Sequence, residues 1–263
     1  CWYIYGGIMR ILFDLSDQVA VVTGASSGLG VQLAKALAAH HAKVVLVARR
    51  ADKLDRISHE IQANGGEVIS LQADVTNEGQ LEQMFGEVKK TWGRIDIVVA
   101  NAGVSGGTNA EKTSLDDWEK VVRTNLTGVY LTAKHAASYM IPQKYGRIIQ
   151  IASMYGVVGN GTIPASAYHA SKGGVVNLTR ALAAEWAKHG ITVNAIGPGF
   201  FNSEMTQAII NEDWFKQYVN ASCPMGRVGE EGELDTTLLY LASPYSSYVN
   251  GQIICVDGGW TAI

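Results

Sequence analysis

The chain has 263 residues and a formal net charge of −3, long enough for one large buried sheet and too short for an added substrate domain of about 100 residues. Its basic residues form no run beyond Arg49-Arg50 or Lys89-Lys90, so neither nucleic acid nor an anionic membrane is implied as a partner; no apolar stretch reaches the roughly 18 residues needed to cross a bilayer. Three cysteines, Cys1, Cys223 and Cys255, form no C-x-x-C pair, which argues against a disulfide framework or a metal site and for a reducing, cytoplasmic setting.

Residues 1–8, CWYIYGGI, carry no basic leader and precede Met9; they are expected to be a non-native or disordered extension, leaving 9–263 as a single domain. From there β-branched runs alternate with amphipathic segments, the pattern of a parallel sheet covered by helices on both faces. Strands are predicted near 18–24, 43–48, 67–72, 95–100, 146–152, 190–196 and 251–256, and helices near 28–40, 51–64, 77–91, 116–140, 167–188 and 231–242. The aromatic-rich stretch from Phe200 to Arg227 breaks this rhythm just past a strand end. Ligands of a doubly wound sheet bind outside the carboxyl ends of its strands, so 200–227 is predicted to be a substrate lid with room for two short helices.

Two local patterns carry chemistry. The apolar run Val19–Val22 leads into Thr23-Gly24-Ala25-Ser26-Ser27-Gly28-Leu29-Gly30 and then a helical pattern. Glycines in such a turn let the backbone approach a pyrophosphate, which unpaired amides and the positive end of the helix dipole then bind. No Gly-Lys-Ser/Thr follows, which excludes a P-loop. Further along, Tyr168 and Lys172 stand four apart in AYHASKGG, on one face of a helix. A phenol beside an ammonium is a tunable acid/base, although bringing a tyrosine from pH ~10 to neutrality requires about 4 kcal/mol of preferential phenolate stabilisation. Tyr130 and Lys134 repeat the spacing; lacking a strand-end serine before them, they are assigned to packing or a subunit interface.

Seven motifs agree in order and spacing with one family. TGASSGLG at 23–30, Asp74 in QADV, Asn101-Ala102-Gly103, Asn125, Ser153 after RIIQIAS, the Tyr168/Lys172 pair and Pro198-Gly199 give a chain that resembles the single-domain branch of the short-chain dehydrogenase/reductases, over residues 14–261. The resemblance implies a doubly wound, seven-stranded parallel α/β (Rossmann) sheet with helices on both faces. It implies a catalytic set of Asn125, Ser153, Tyr168 and Lys172. Tyr168 would exchange a proton with the substrate oxygen, Lys172 would lower its pKa and hold the cofactor ribose, Ser153 would hydrogen-bond the substrate oxygen, and Asn125 would hold a water between Lys172 and solvent. The nicotinamide would carry the hydride.

Gly24, Ser26, Ser27, Gly28, Leu29 and Gly30 are expected to hold the cofactor phosphates. Asp74 and Val75 would hold the adenine edge, Asn101 and Gly103 would line the cofactor with Tyr168 and Lys172, and Pro198, Gly199 and Ser203 would lie against the nicotinamide. At the end of KVVLVARR an acidic residue would bind the adenosine ribose and repel a 2'-phosphate. Ala48 and Arg49 stand there instead, and an arginine clamps a phosphate bidentately, so NADP(H) is favoured over NAD(H), with Ser27 leaving room for some NAD use. Met154, Tyr155, Ile163, Phe200, Phe201, Met205 and Trp214 are expected in the substrate pocket or lid, a mixture that suits a moderately apolar ketone.

Ser153 and Tyr168 are 15 positions apart, more than is usual in the family. The extra length falls in VVGNGTIPASA, where Gly159, Asn160, Gly161 and Pro164 make a loop. The expected activity is NADPH-dependent reduction of a ketone to a secondary alcohol. Sugar-acid or polyol dehydrogenases and 3-oxoacyl-carrier-protein reductases are the enzymatic alternatives, and a dinucleotide sensor the non-enzymatic one. The carrier-protein reading is weakened because Lys144 fills only the first of two basic positions, the second being Ala184. A homotetramer is expected from the resemblance.

Overall fold

The computed structural model describes residues 2–5 and 8–263, those up to 11 by their backbone alone. Strands β1 (Trp2–Tyr5) and β2 (Ile8–Ile11) pair antiparallel in a ribbon of their own. Residues 1, 6 and 7 of the expected extension lie outside the described residues.

The main sheet begins with β3 (Val19–Thr23), followed by α1 (Gly28–Ala39), β4 (Lys43–Ala48), α2 (Ala51–Ala63), β5 (Val68–Gln72), α3 (Glu78–Trp92) and β6 (Ile97–Ala100). The second half runs through α4 (Leu115–Val122), α5 (Gly128–Gln143), β7 (Gly146–Ile151), α6 (Ser166–Trp186), β8 (Ile191–Pro198), α7 (Asp213–Ser222), α8 (Asp235–Ala242) and β9 (Ile253–Val256). The seven strands lie in the order β5-β4-β3-β6-β7-β8-β9, all parallel, as the sequence pattern predicts.

Side chains of alternate strand residues enter opposite cores, as the two-residue period of a strand requires. Ala20, Val22, Val44 and Leu46 pack with Leu33 and Leu37 of α1, Leu54 and Ile57 of α2 and Leu238 of α8. Val19, Val21, Val45 and Val47 pack on the other face with Leu81 and Phe85 of α3, Ala136 and Met140 of α5 and Trp186 of α6. Each fully buried Val or Leu contributes roughly 1.5–3 kcal/mol, and two such faces explain why the strands read as continuous apolar runs.

Two expectations are corrected. The helix expected over 116–140 is two helices joined by a π-turn, Arg123–Thr127, with Asn125 buried inside it; the wider turn reaims the side chains of its residues. The lid contains one helix, α7, rather than two. Residues 203–212 fold instead as successive hydrogen-bonded turns, Gln207 to Ser203, Ile209 to Thr206 and Glu212 to Ile209. No helix among the described residues is long and apolar enough to cross a membrane.

Candidate active site

The chain runs outward from β3 to β5 and then returns to β6, so the connections after β3 and β6 leave in opposite directions and open a crevice at their carboxyl ends. Asn101, just past β6, fastens this crevice. Its Nδ2 donates to the Thr23 carbonyl at 2.9 Å and to that of Gly24 at 3.3 Å, while its amide donates to Thr23 Oγ1 at 3.1 Å. The approach is so close that a Cβ on Gly24 would lie 2.8 Å from Ala102 Cα, and one on Gly30 would lie 2.3 Å from the Gly24 carbonyl oxygen. Gly24 also has φ +68°, a conformation that favours glycine. The N-terminus of α1 follows, with no side-chain cap from Ser27 and no acidic residue in its first turn. Its amides are therefore available to an anion.

A cleft of about 850 Å³ extends from this turn across the sheet ends. It is lined by every glycine-loop residue expected to bind the cofactor, by Arg49, Asp74, Val75, Asn101 and Gly103, and at its far end by Ser153, Tyr168 and Lys172. Pro198, Gly199 and Ser203 close its lid side. Ser203 packs opposite Gly28, its Cβ 3.1 Å from where a Cβ on Gly28 would stand.

Ser153 ends β7 in extended conformation, its Oγ accepting from the Tyr155 amide at 3.1 Å. Burial raises the Tyr168 phenol's pKa, and the neighbouring Ser153 hydroxyl opposes this with a smaller lowering effect. Lys172, one helical turn on, is 3% exposed and donates from Nζ to the Ile151 carbonyl at 2.6 Å. Its ammonium lies 5.7 Å from the centre of the Tyr168 ring, and desolvation lowers its pKa to about 8. Asn125 does not line the cleft but stands behind it. It accepts from the Val104 amide at 2.8 Å, donates to the Val104 carbonyl at 2.9 Å and to Ser171 Oγ at 3.2 Å. Gly103 separates it from Lys172: a Cβ there would lie 3.4 Å from Asn125 Oδ1 and 3.8 Å from Lys172 Nζ.

Of the expected pocket residues, Met154, Tyr155, Ile163, Phe200, Phe201 and Met205 line the cleft. Trp214 does not. It is 47% exposed because its neighbour Phe215 takes the inward face of α7, leaving Trp214 turned outward and edge-on to it. Phe200 meets Tyr155, Phe215, Tyr218 and Trp260 edge-on, so the lid base is an aromatic cluster. Asp74 accepts from the Thr76 amide and hydroxyl at 2.9 and 2.8 Å, and its other oxygen is 3.8 Å from Arg49, which is 72% exposed.

Four polar residues here were not anticipated. Arg50 donates to Ser26 and Ser27 of the glycine loop and to Glu204 of the lid. Asn160 bridges Tyr155 and Tyr218, donating to the Tyr155 hydroxyl at 2.7 Å and accepting from that of Tyr218 at 2.9 Å. The one sequence signal was an acid beside Ser203 facing a basic doublet; nothing marked the tyrosine bridge.

Comparison with known proteins agrees with this geometry. Residues 24–261 match a family model described as enoyl-(acyl carrier protein) reductase. The chain is 42% identical to a 3-oxoacyl-[acyl-carrier-protein] reductase of Synechocystis, covering 93% of this chain and 97% of that protein. It is 37% identical to gluconate 5-dehydrogenase of Gluconobacter oxydans, covering 95% and 97%. A crystal structure of gluconate 5-dehydrogenase from Burkholderia cenocepacia, in complex with NADP and tartrate, superposes with a TM-score of 0.92 at 34% identity, covering 96% of this chain and 98% of that one. The chain belongs to the short-chain dehydrogenase/reductase family. It is an NAD(P)-dependent oxidoreductase acting on CH–OH or C=O groups.

Proposed function

We propose that this protein catalyses the reversible, NADPH-dependent reduction of a moderately apolar ketone to a secondary alcohol. The observation that carries the reading is the Tyr168 phenol, beside Ser153 and the buried Lys172 at the end of the cleft. The glycine turn and uncapped start of α1 suit a pyrophosphate, and exposed Arg49 suits a 2'-phosphate. When bound, the reduced nicotinamide would supply hydride to the carbonyl carbon. Tyr168 donates its proton to the carbonyl oxygen; burial keeps the phenol protonated at neutral pH, the form that reduction requires. Ser153 donates to the same oxygen as charge develops there. Lys172 offers its ammonium to the cofactor ribose, and Asn125 holds the Val104 backbone behind it.

The substrate class rests on the apolar and aromatic wall formed by Met154, Tyr155, Ile163 and Phe200. The relatives named for gluconate and for acyl-carrier-protein substrates keep those two classes as the competing assignments. The proposal includes a cytoplasmic homotetramer, supported by exposed Leu115, Trp118 and Tyr130 on α4 and α5.

The test is NADPH and NADH consumption at 340 nm against aryl ketones, diketones, keto-sugars and acetoacetyl thioesters. Tyr168→Phe is expected to lower turnover of the accepted ketone by about 10²–10⁴-fold while leaving NADPH binding intact. Retained turnover removes the assigned proton donor, and turnover confined to keto-sugars or thioesters replaces the substrate class.

A further inference from the structure

The lid places a carboxylate in the cleft that none of the roles above uses. Glu204 follows Ser203 and lines the cleft beside the glycine turn. Its oxygens accept from Arg50 Nη1 at 3.1 Å and Nη2 at 2.9 Å, and from Lys53 Nζ at 2.6 Å. Arg50 also binds the hydroxyls of Ser26, at 3.2 and 3.0 Å from Nε and Nη2, and Ser27, at 2.9 Å. A forked guanidinium and an ammonium around one anion form a donor set that would equally suit a phosphate. The Arg50 and Lys53 hydrogen bonds hold the Glu204 carboxyl down to about 2, so it is charged at any working pH.

We propose that Glu204 is an internal counter-anion of the 2'-phosphate subsite, engaging Arg50 and Lys53 in place of the phosphate and so limiting the preference for NADP(H) over NAD(H). The inference rests on the reading of the cofactor given above. Arg49, Arg50 and Lys53 gather around the start of α2, and two carboxylates answer them: Asp74 loosely, at 3.8 Å from Arg49, and Glu204 closely. A 2'-phosphate must compete with Glu204 for Arg50 and Lys53 and is repelled by its charge. A cofactor with a bare 2'-hydroxyl meets neither penalty. Glu204 is therefore a specificity residue that weakens one cofactor and leaves the other unaffected.

Dissociation constants of NADPH, NADH, 2',5'-ADP and 5'-AMP, measured calorimetrically for the wild type and Glu204→Gln, test this. The amide keeps the shape and removes the charge. NADPH and 2',5'-ADP are expected to bind about three- to tenfold tighter, the scale of one partly exposed ionic contact or two, with NADH and 5'-AMP unchanged. Unchanged constants throughout, or parallel weakening of all four, would overturn the proposal, the latter marking Glu204 as a mere fastening of the lid. Selective weakening of NADPH would overturn it too. Glu204→Ala, with circular dichroism to confirm folding, provides a second variant if the amide is poorly behaved. Arg49→Ala, run alongside, separates the two readings. Equal losses for NADPH and NADH would sink the NADP assignment, whereas 2',5'-ADP binding to Glu204→Gln decides the role of Glu204 in either case.

Discussion

Lys172 shows at the level of one residue how function and stability oppose each other. Its ammonium is buried and donates to the Ile151 carbonyl, and desolvation draws its pKa from 10.5 to about 8. A lowered lysine pKa means that the unfolded chain binds more protons than the folded one between those two values, so the folding penalty is full below pH ~8 and is relieved as pH rises toward 10.5. Lys172→Met is therefore expected to abolish turnover yet raise the melting temperature at pH 7 by about 2–4 °C, with the gain shrinking above pH 8. A lower melting temperature at pH 7 would show that the lost Ile151 contact outweighs desolvation. The Tyr168/Lys172 pair was legible from spacing and context, but the aim of the ammonium at Ile151 was not, because spacing fixes a helix face and says nothing of what that face meets. Tyr130 and Lys134 make the same point. Tyr130 is 42% exposed, and Lys134 is bound to Glu78 of α3 at 2.6 Å.

Among the elements, the loop between β7 and α6 was predicted from its glycines and proline, and it is a loop. Its role as a fastening is new. Asn160 joins Tyr155 of the cleft to Tyr218 of α7, and burial beside Tyr218 pushes the Tyr155 phenol pKa well up. The Tyr155 hydroxyl therefore remains a neutral hydrogen-bonding group at working pH. Asn160→Ala removes two of these bonds, at about 1 kcal/mol each, and is expected to raise the substrate KM several-fold with little change in NADPH affinity. An unchanged KM across small and bulky ketones would mean that the loop does not shape the pocket. Strands were easier to anticipate than the lid, since a strand buried on both faces reads as an unbroken apolar run, whereas residues 203–212 are held by backbone turns that follow no hydrophobic period. Likewise the π-turn at Asn125 leaves the apolar pattern of its helix nearly intact and so escaped the sequence.

For the whole molecule, strand number and the parallel arrangement followed from composition and rhythm, because a sheet sandwiched between helices admits few topologies. Assembly depends on surfaces that a single chain leaves unpaired. If the proposed homotetramer forms, light scattering coupled to size exclusion will give four times the chain mass, and Trp118→Glu combined with Tyr130→Glu will reduce it; a wild-type monomer at micromolar concentration would rule it out. The strand order has another outcome, for synthesis. Strands β3, β4 and β5 are neighbours in both sequence and space, so they can pair while the ribosome is still working, yet one side of β3 stays bare until Ile97–Ala100 of β6 emerges. A bare central strand is an adhesive edge. Asn101, which clasps Thr23 and Gly24, arrives immediately behind the strand that covers it, so the nascent chain closes its sticky edge and shapes its dinucleotide turn in one event, and stalling just before that point should leave the polypeptide most exposed to aggregation.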